Sequence, residues 1–382
     1  MIYFDNAATT GVKPPQVIAA VSQALREMSV NPGRGGYSES IKCSEAVYEC
    51  RRKISDFFGA NAPERVVFTA NCTSALNTVI KGIVRPGDHV VTSAIEHNAV
   101  ARPLYKMQRA GVDVDFAEVI FGDREATVRS FERLIRNDTR LVICTHASNV
   151  TGTVMPIKEI GEICARRGVP FAVDAAQTAG ILDIDMKKLK IDYLCIAPHK
   201  GLYAPMGTGV LISLGKIPET LTEGGTGSLS ASYNQPSDLP DRFESGTLNV
   251  PGIMGILAGI DFVSSKTVSA IYHHEMALAG RCYDLLSGIE GVKLYTERPS
   301  LEWFVPTLSF NMSGKPADEV AEYLSKRGIA VRAGLHCAPM AHRRLGTVDS
   351  GTVRICFGVF NNNFEVERLA ETLKNLKKIS KI

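Results

Sequence analysis

An acid and a lysine close two successive apolar runs of this sequence. Phe171-Ala172-Val173 ends in Asp174-Ala175-Ala176-Gln177, and Tyr193-Leu194-Cys195-Ile196 leads into Ala197-Pro198-His199-Lys200. If the two runs are strands of one parallel sheet, Asp174 and Lys200 emerge on the same rim, beyond the carboxyl ends, where such sheets bind ligands. That pair suits a pyridoxal cofactor, which needs a lysine for a Schiff base and a carboxylate to keep the pyridinium nitrogen protonated. A surface salt bridge is the plainer reading of the pair alone. Ala70-Asn71-Cys72-Thr73-Ser74 lies between a strand-like and a helix-like segment. Its N–H groups and hydroxyls suit a phosphate, or simply cap a helix. His97 follows another strand-like run, placed to stack on a bound ring or to cap the next helix.

These residues need a scaffold. Val66-Val67-Phe68, His89-Val90-Val91-Thr92, Leu141-Val142-Ile143-Cys144 and Gly209-Val210-Leu211-Ile212 join the two runs above as short strand-like stretches. Helical periodicity covers residues 73–83 and 157–167 between them, and Pro14-Pro15 followed by Val17, Ile18, Val21 and Leu25 opens a helix with proline at its start. Apolar strands alternating with helices predict an α/β fold with a mainly parallel sheet covered on both faces. A Gly/Ser/Asn-rich stretch spans 224–249, a long helical segment follows over 253–286, and the remainder reads as a smaller α+β domain.

Composition narrows the function classes. A chain of 382 residues with 45% hydrophobic and 22% charged residues buries a large core and divides into two domains. A net charge of +3 gives no basic face for nucleic acid; the cluster Lys374, Lys377, Lys378 and Lys381 reads as the last turn of a terminal helix. Nine scattered cysteines without a C-x-x-C pair fit neither a disulfide framework nor a structural zinc site, and no metal is expected. No apolar run approaches the ~18 residues that span a bilayer, and no basic leader precedes Asp5, so a soluble protein of the reducing cytoplasm is expected. Gly33-Arg34-Gly35-Gly36 lacks the last glycine of a dinucleotide fingerprint, and no phosphate loop of the G-x-x-x-x-G-K-[ST] type occurs.

Taken in order, the motifs resemble the class V aminotransferase-like family of fold-type I pyridoxal-phosphate enzymes, and within it the cysteine desulfurases grouped with selenocysteine lyases. The resemblance begins at Tyr3-Phe4-Asp5-Asn6-Ala7-Ala8-Thr9-Thr10 and runs through Glu96-His97-Asn98, Ser148-Asn149-Val150-Thr151-Gly152, Asp174-Ala175-Ala176-Gln177 and His199-Lys200. It continues with Phe243-Glu244-Ser245-Gly246-Thr247 and Arg332-Ala333-Gly334-Leu335-His336-Cys337-Ala338-Pro339, and ends at Arg354. It implies a large domain, residues 16–255, holding a mainly parallel seven-stranded sheet, with residues 1–15 and 256–382 in a small α+β domain.

By the same resemblance Lys200 carries the cofactor, Asp174 pairs with its ring nitrogen, Gln177 bonds its ring oxygen and His97 stacks on the ring and moves protons. Thr73, His199 and Thr247 of a partner subunit resemble the phosphate contacts, with Cys72 where a hydroxyl residue is common. Thr247 so placed implies a homodimer with composite sites. Asn149 and Arg354 resemble the groups that hold the substrate carboxylate, and Arg332 assists near the reacting cysteine. Cys337 would take sulfur from L-cysteine as a persulfide, leaving alanine, and pass it to an acceptor protein. A sulfur nucleophile acts as its thiolate, and Arg332 and His336 close in sequence offer positive charge.

Some positions depart from the family pattern. Ala197 replaces a frequent serine, Tyr37 stands near a frequent histidine, Gly201 is an extra residue after the lysine, and the segment 340–352 with Arg343-Arg344 is unfamiliar. Substrate choice therefore stays open between cysteine and selenocysteine, as does another class V activity, an aminotransferase or epimerase with an incidental Cys337. A cofactor-free sulfur carrier or scaffold is the reading from a different class.

Overall fold

The computed structural model describes residues 1–33 and 35–379. Arg34 and Lys381, both named above, lie outside the described residues. The chain opens with a short strand β1 (Ile2–Tyr3), then α1 (Pro15–Glu27) and α2 (Ser38–Phe57). The main sheet is built from β2 (Val66–Thr69), β3 (His89–Ser93), β4 (Asp113–Ala117), β5 (Thr139–Thr145), β6 (Phe171–Asp174), β7 (Tyr193–Ile196) and β8 (Gly209–Ser213). Helices α3 (Cys72–Ile83), α4 (Asn98–Gln108), α5 (Arg124–Leu134) and α6 (Ile157–Arg167) follow the first four of these strands in turn.

The strand order is β2-β8-β7-β6-β5-β3-β4, and only β8 runs antiparallel to its neighbours, as expected for a mainly parallel sheet. Strand β4 has no counterpart in the sequence reading. Its Asp113-Val114-Asp115-Phe116-Ala117 mixes charged and apolar residues because it forms one edge of the sheet, with Asp113 and Phe116 exposed. The interior strands are buried on both faces and read as unbroken apolar runs. Local chemistry sets the helix ends. Pro15 sits in the first turn of α1, and the Asn71 side chain accepts the Ser74 amide at 2.9 Å to cap α3, a bond contributing about 1 kcal/mol.

The predicted helix over 253–286 is two helices, α7 (Val250–Lys266) and α8 (Val268–Ser287), bent by 78° at Thr267. Thr267 has φ +67°, which ends one helix, and its hydroxyl accepts the Ala270 amide to start the next. No single helix among the described residues is long and apolar enough to cross a membrane.

The C-terminal part contains β9 (Val292–Leu294), β10 (Thr307–Met312), α9 (Ala317–Ser325), β11 (Ile329–Ala330), β12 (Arg332–Gly334), α10 (Pro339–Leu345), β13 (Thr352–Cys356) and α11 (Asn363–Ile379). Strands β12-β13-β10-β9 form an antiparallel sheet, and β1 pairs in parallel with β11. Phe4 joins one apolar cluster with residues such as Leu278, Phe310, Ile355 and Leu369, whereas α7 packs in the main core through Ile253, Ile260 and Val263. A boundary at residue 255 would cut α7 within that core. We propose instead that the division falls along α8, with the first residues of the chain belonging to the smaller part.

Candidate active site

Because β5, β6 and β7 are parallel, their carboxyl ends share one rim. Asp174 is the last residue of β6, in register with Thr145 of β5 and Cys195 of β7, and the turn after β7 brings Lys200 to the same edge. A cavity of about 210 Å³ opens there. Cys72, Thr73, His97, Asn149, Asp174, Gln177, His199, Lys200, Arg332 and Arg354 all line it. Of the residues given a catalytic, cofactor or substrate role in the sequence analysis, only Cys337 and Thr247 do not. A larger cavity of about 550 Å³ lies apart, walled by Phe121, Tyr295 and Trp303, and holds no acid–lysine pair.

Asp174 Oδ1 accepts the Ala176 amide at 2.9 Å and the Cys72 thiol at 3.7 Å. Burial raises the Asp174 pKa, opposed by those hydrogen bonds and by Lys200. Burial lowers the Lys200 pKa, only partly offset by Asp174, so the amine loses its proton more readily than a surface lysine. His97 is the N-cap of α4, and its Nδ1 accepts the Ala99 amide at 3.0 Å, which leaves the ring proton on Nε2. Burial, then Lys200 and three arginines, lowers its pKa to about 4, so the ring is neutral at physiological pH. His199 is lowered to about 4 by burial and then Lys200, and its Nδ1 is buried without a partner. Thr73, on the first turn of α3, is exposed and lines the same cavity.

The opposite wall carries the cations. Arg354, on β13, is 1% exposed. Its Nη2 donates to Asp5 Oδ1 at 2.6 Å and its Nη1 to the Asn149 carbonyl at 3.1 Å, while Nε is buried with no partner. The Asn149 side-chain amide donates to the His336 carbonyl at 2.7 Å.

All nine cysteines are free, and Cys337 alone is exposed. Its Sγ lies 3.8 Å from Nη2 of Arg332, which lines the cavity, and its carbonyl accepts the Asn98 amide at the start of α4. The positive charge expected from His336 is absent. Burial, and then Arg354, lowers that imidazole to about 2, and its Nε2 bonds Thr352 instead. Arg343 and Arg344 are both exposed, and Arg344 donates to the Val119 carbonyl at 3.1 Å. Thr247 is exposed after Gly246 and does not reach the cavity of its own chain.

Several residues escaped the sequence reading because backbone geometry, not residue type, brings them in. The His199 carbonyl, which precedes Lys200, accepts from the Thr9 and Thr10 hydroxyls at 3.1 Å and from Lys13 Nζ at 3.0 Å. Gln177 Nε2 donates to the Ala7 carbonyl at 3.1 Å. Glu96, beside His97, is fully buried, accepts from Ser93 and the Thr145 amide, and has its pKa raised to about 8 by burial. The N-terminal stretch with Asp5, Thr9 and Thr10, and Glu96 beside His97, matched family motifs, which was the available signal.

Comparison with known proteins supplies the family. The family model for class V aminotransferases matches residues 2–369. The chain belongs to that family. A probable cysteine desulfurase of Methanothermobacter thermautotrophicus is 34% identical, covering 98% of this chain and 94% of that protein. Among solved structures, the apo cysteine desulfurase of Thermococcus onnurineus NA1 superposes with a TM-score of 0.90 at 34% identity, over 99% of this chain and 94% of that one. The S-sulfonic acid form of the cysteine desulfurase CsdA from Escherichia coli gives a TM-score of 0.88 at 26% identity, over 99% of this chain and 94% of that one. In open α/β sheets ligands bind beyond the carboxyl ends of the strands, the rim on which Asp174 and Lys200 stand here.

Proposed function

We propose that this chain is a pyridoxal-phosphate-dependent cysteine desulfurase that converts L-cysteine to L-alanine and keeps the sulfur on Cys337. The observation that carries the proposal is one exposed cysteine beside Arg332, which lines the same cavity as Asp174 and Lys200. Relatives and structural neighbours named cysteine desulfurase, near full length, support it.

The cavity fits the cofactor through the buried, unpartnered His199 Nδ1, with the exposed Thr73 on the first turn of α3 and Lys200 also in its lining. Lys200 would hold its aldehyde carbon, Asp174 its ring nitrogen, Gln177 its ring oxygen, and Thr73 with His199 its phosphate, with Cys72 and His97 completing the walls. When bound, pyridoxal phosphate supplies an electrophilic carbon for the substrate amine and an electron sink for the α-carbon.

The remaining steps fall to the chain's own residues. Arg354 presents its free Nε–H to the substrate α-carboxylate, with Asn149 alongside, and so fixes which bond at the α-carbon breaks. The Lys200 amine, less basic than usual, removes the α-proton at Nζ. The neutral ring of His97 carries its proton at Nε2, facing the cavity. Cys337 attacks the substrate sulfur: the Sγ–S bond forms, the carbon–sulfur bond breaks, and the β-carbon is protonated as alanine leaves. Arg332, 3.8 Å away, steadies the sulfur anion. An acceptor protein then removes the persulfide sulfur.

Exposed apolar residues on α1 and α2, Ile18, Leu25, Ile41 and Tyr48, with Leu229 and Tyr233, support a homodimer in which Thr247 serves the partner's site. Nine free cysteines support a reducing, cytoplasmic setting.

Mass spectrometry of the protein after mixing with L-cysteine tests the proposal. A gain of one sulfur on the peptide bearing Cys337, lost in Cys337→Ser, is expected. Full sulfide production by Cys337→Ser, or turnover of selenocysteine alone, overturns it.

A further inference from the structure

His336 and Cys337 have φ of +50° and +56°, the only adjacent non-glycine pair with positive φ among the described residues. L residues avoid this region because Cβ crowds the neighbouring carbonyl oxygen, so such a turn persists only where its surroundings over-determine it. The holding contacts are few and identifiable. The Asn149 side-chain amide donates to the His336 carbonyl at 2.7 Å, and the Asn98 amide donates to the Cys337 carbonyl at 2.7 Å. His336 Nε2 contacts the Thr352 carbonyl at 3.1 Å from below. Of these, Asn149 is the one side chain anchored outside the turn's own small sheet, buried and braced in turn by Arg354 on its carbonyl.

We infer that Asn149 is a positioning residue for the sulfur-receiving cysteine: its amide holds the strained His336-Cys337 turn and so fixes Cys337 Sγ beside Arg332. The inference rests on the function proposed above and adds to Asn149 a task distinct from holding the substrate carboxylate. The donor reaches the turn through the His336 carbonyl, so its loss releases the backbone while the Arg354 guanidinium, bonded to the Asn149 main chain, stays in place.

The test compares Asn149→Ala and Asn149→Leu, the second keeping apolar bulk while removing the donor. Amide hydrogen exchange of residues 335–340 is measured in the chain with and without pyridoxal phosphate, with β10 amides as the control for global stability. The expected result is exchange at least tenfold faster at Cys337 and Ala338 and unchanged in β10. Turnover of L-cysteine at saturation falls tenfold or more, a loss separate from any weakening of carboxylate binding, which is read as the affinity of the loaded enzyme for L-alanine from the cofactor absorbance. Unchanged exchange in the turn overturns the inference, as does a loss of L-alanine affinity with turnover at saturation intact. If the wild type takes no sulfur from cysteine, the proposed function fails, and the exchange measurement still decides what holds the turn.

Discussion

Arg354 and Asp5, 349 positions apart, share a 2.6 Å hydrogen bond between Nη2 and Oδ1. The guanidinium is almost wholly buried, so its charge requires a counter-anion when no substrate is present. Asp5 provides it from one side and the Asn149 carbonyl braces another, which leaves Nε–H as the open donor. The guanidinium holds these donors in one rigid plane that matches a carboxylate, whereas the three donors of an ammonium splay from a single nitrogen. Arg354→Lys therefore raises the KM for L-cysteine by about 100-fold, with kcat changed less than about tenfold, in steady-state alanine release.

The buried amine of Lys200 couples stability to pH. Burial places its pKa below the ordinary 10.5, so the folded chain gives up a proton that the unfolded chain keeps. The resulting penalty is full at pH below the folded pKa and vanishes as pH approaches 10.5. Without cofactor, Lys200→Met should melt about 2 °C or more above the wild type at pH 7, and the gap should close toward pH 10.5 in thermal scans.

Glu96 gives the complementary behaviour. Its pKa is raised from 4.5 to about 8, chiefly by burial, so the unfolded chain ionises where the folded chain holds the proton. The penalty starts above pH 4.5, grows until about pH 8 and is constant beyond. Glu96→Gln removes it, and denaturant titrations should show the variant gaining on the order of 4 kcal/mol relative to wild type between pH 5 and 8, then no more. A gain that is flat across this range would show that Glu96 is ionised in the fold.

Thr73 offers a hydroxyl to the cavity from the first turn of α3. A hydrogen bond to a phosphate oxygen is charge-assisted, contributing about 1.5–3 kcal/mol. Thr73→Val should weaken pyridoxal phosphate binding at least about tenfold in an absorbance titration, with the melting temperature of the cofactor-free chain unchanged.

Much of this architecture was legible in the sequence. The apolar runs of β6 and β7 announced an acid and a lysine on one rim because interior parallel strands are hydrophobic on both faces. Edge strand β4 was not, since one of its sides meets water and its charges hide the pattern. The break at Thr267 was silent because threonine carries no strong turn signal, although its positive φ and its cap on Ala270 separate α7 from α8. Cys337 was legible as a motif, but its surroundings were not. His336 adjoins it in sequence and was expected to be cationic, yet its ring turns inward to Thr352. Likewise the Asp5–Arg354 bond joins the two ends of the chain, beyond the reach of local pattern.

The grip of Thr9, Thr10 and Lys13 on the His199 carbonyl bears on how the protein is handled. Those side chains clamp the peptide unit entering Lys200, so the opening dozen residues are no dispensable tail. Expression variants trimmed to begin at α1 would lose the clamp together with the partner of Arg354, whereas a purification tag fused ahead of Met1, which is 94% exposed, leaves both intact.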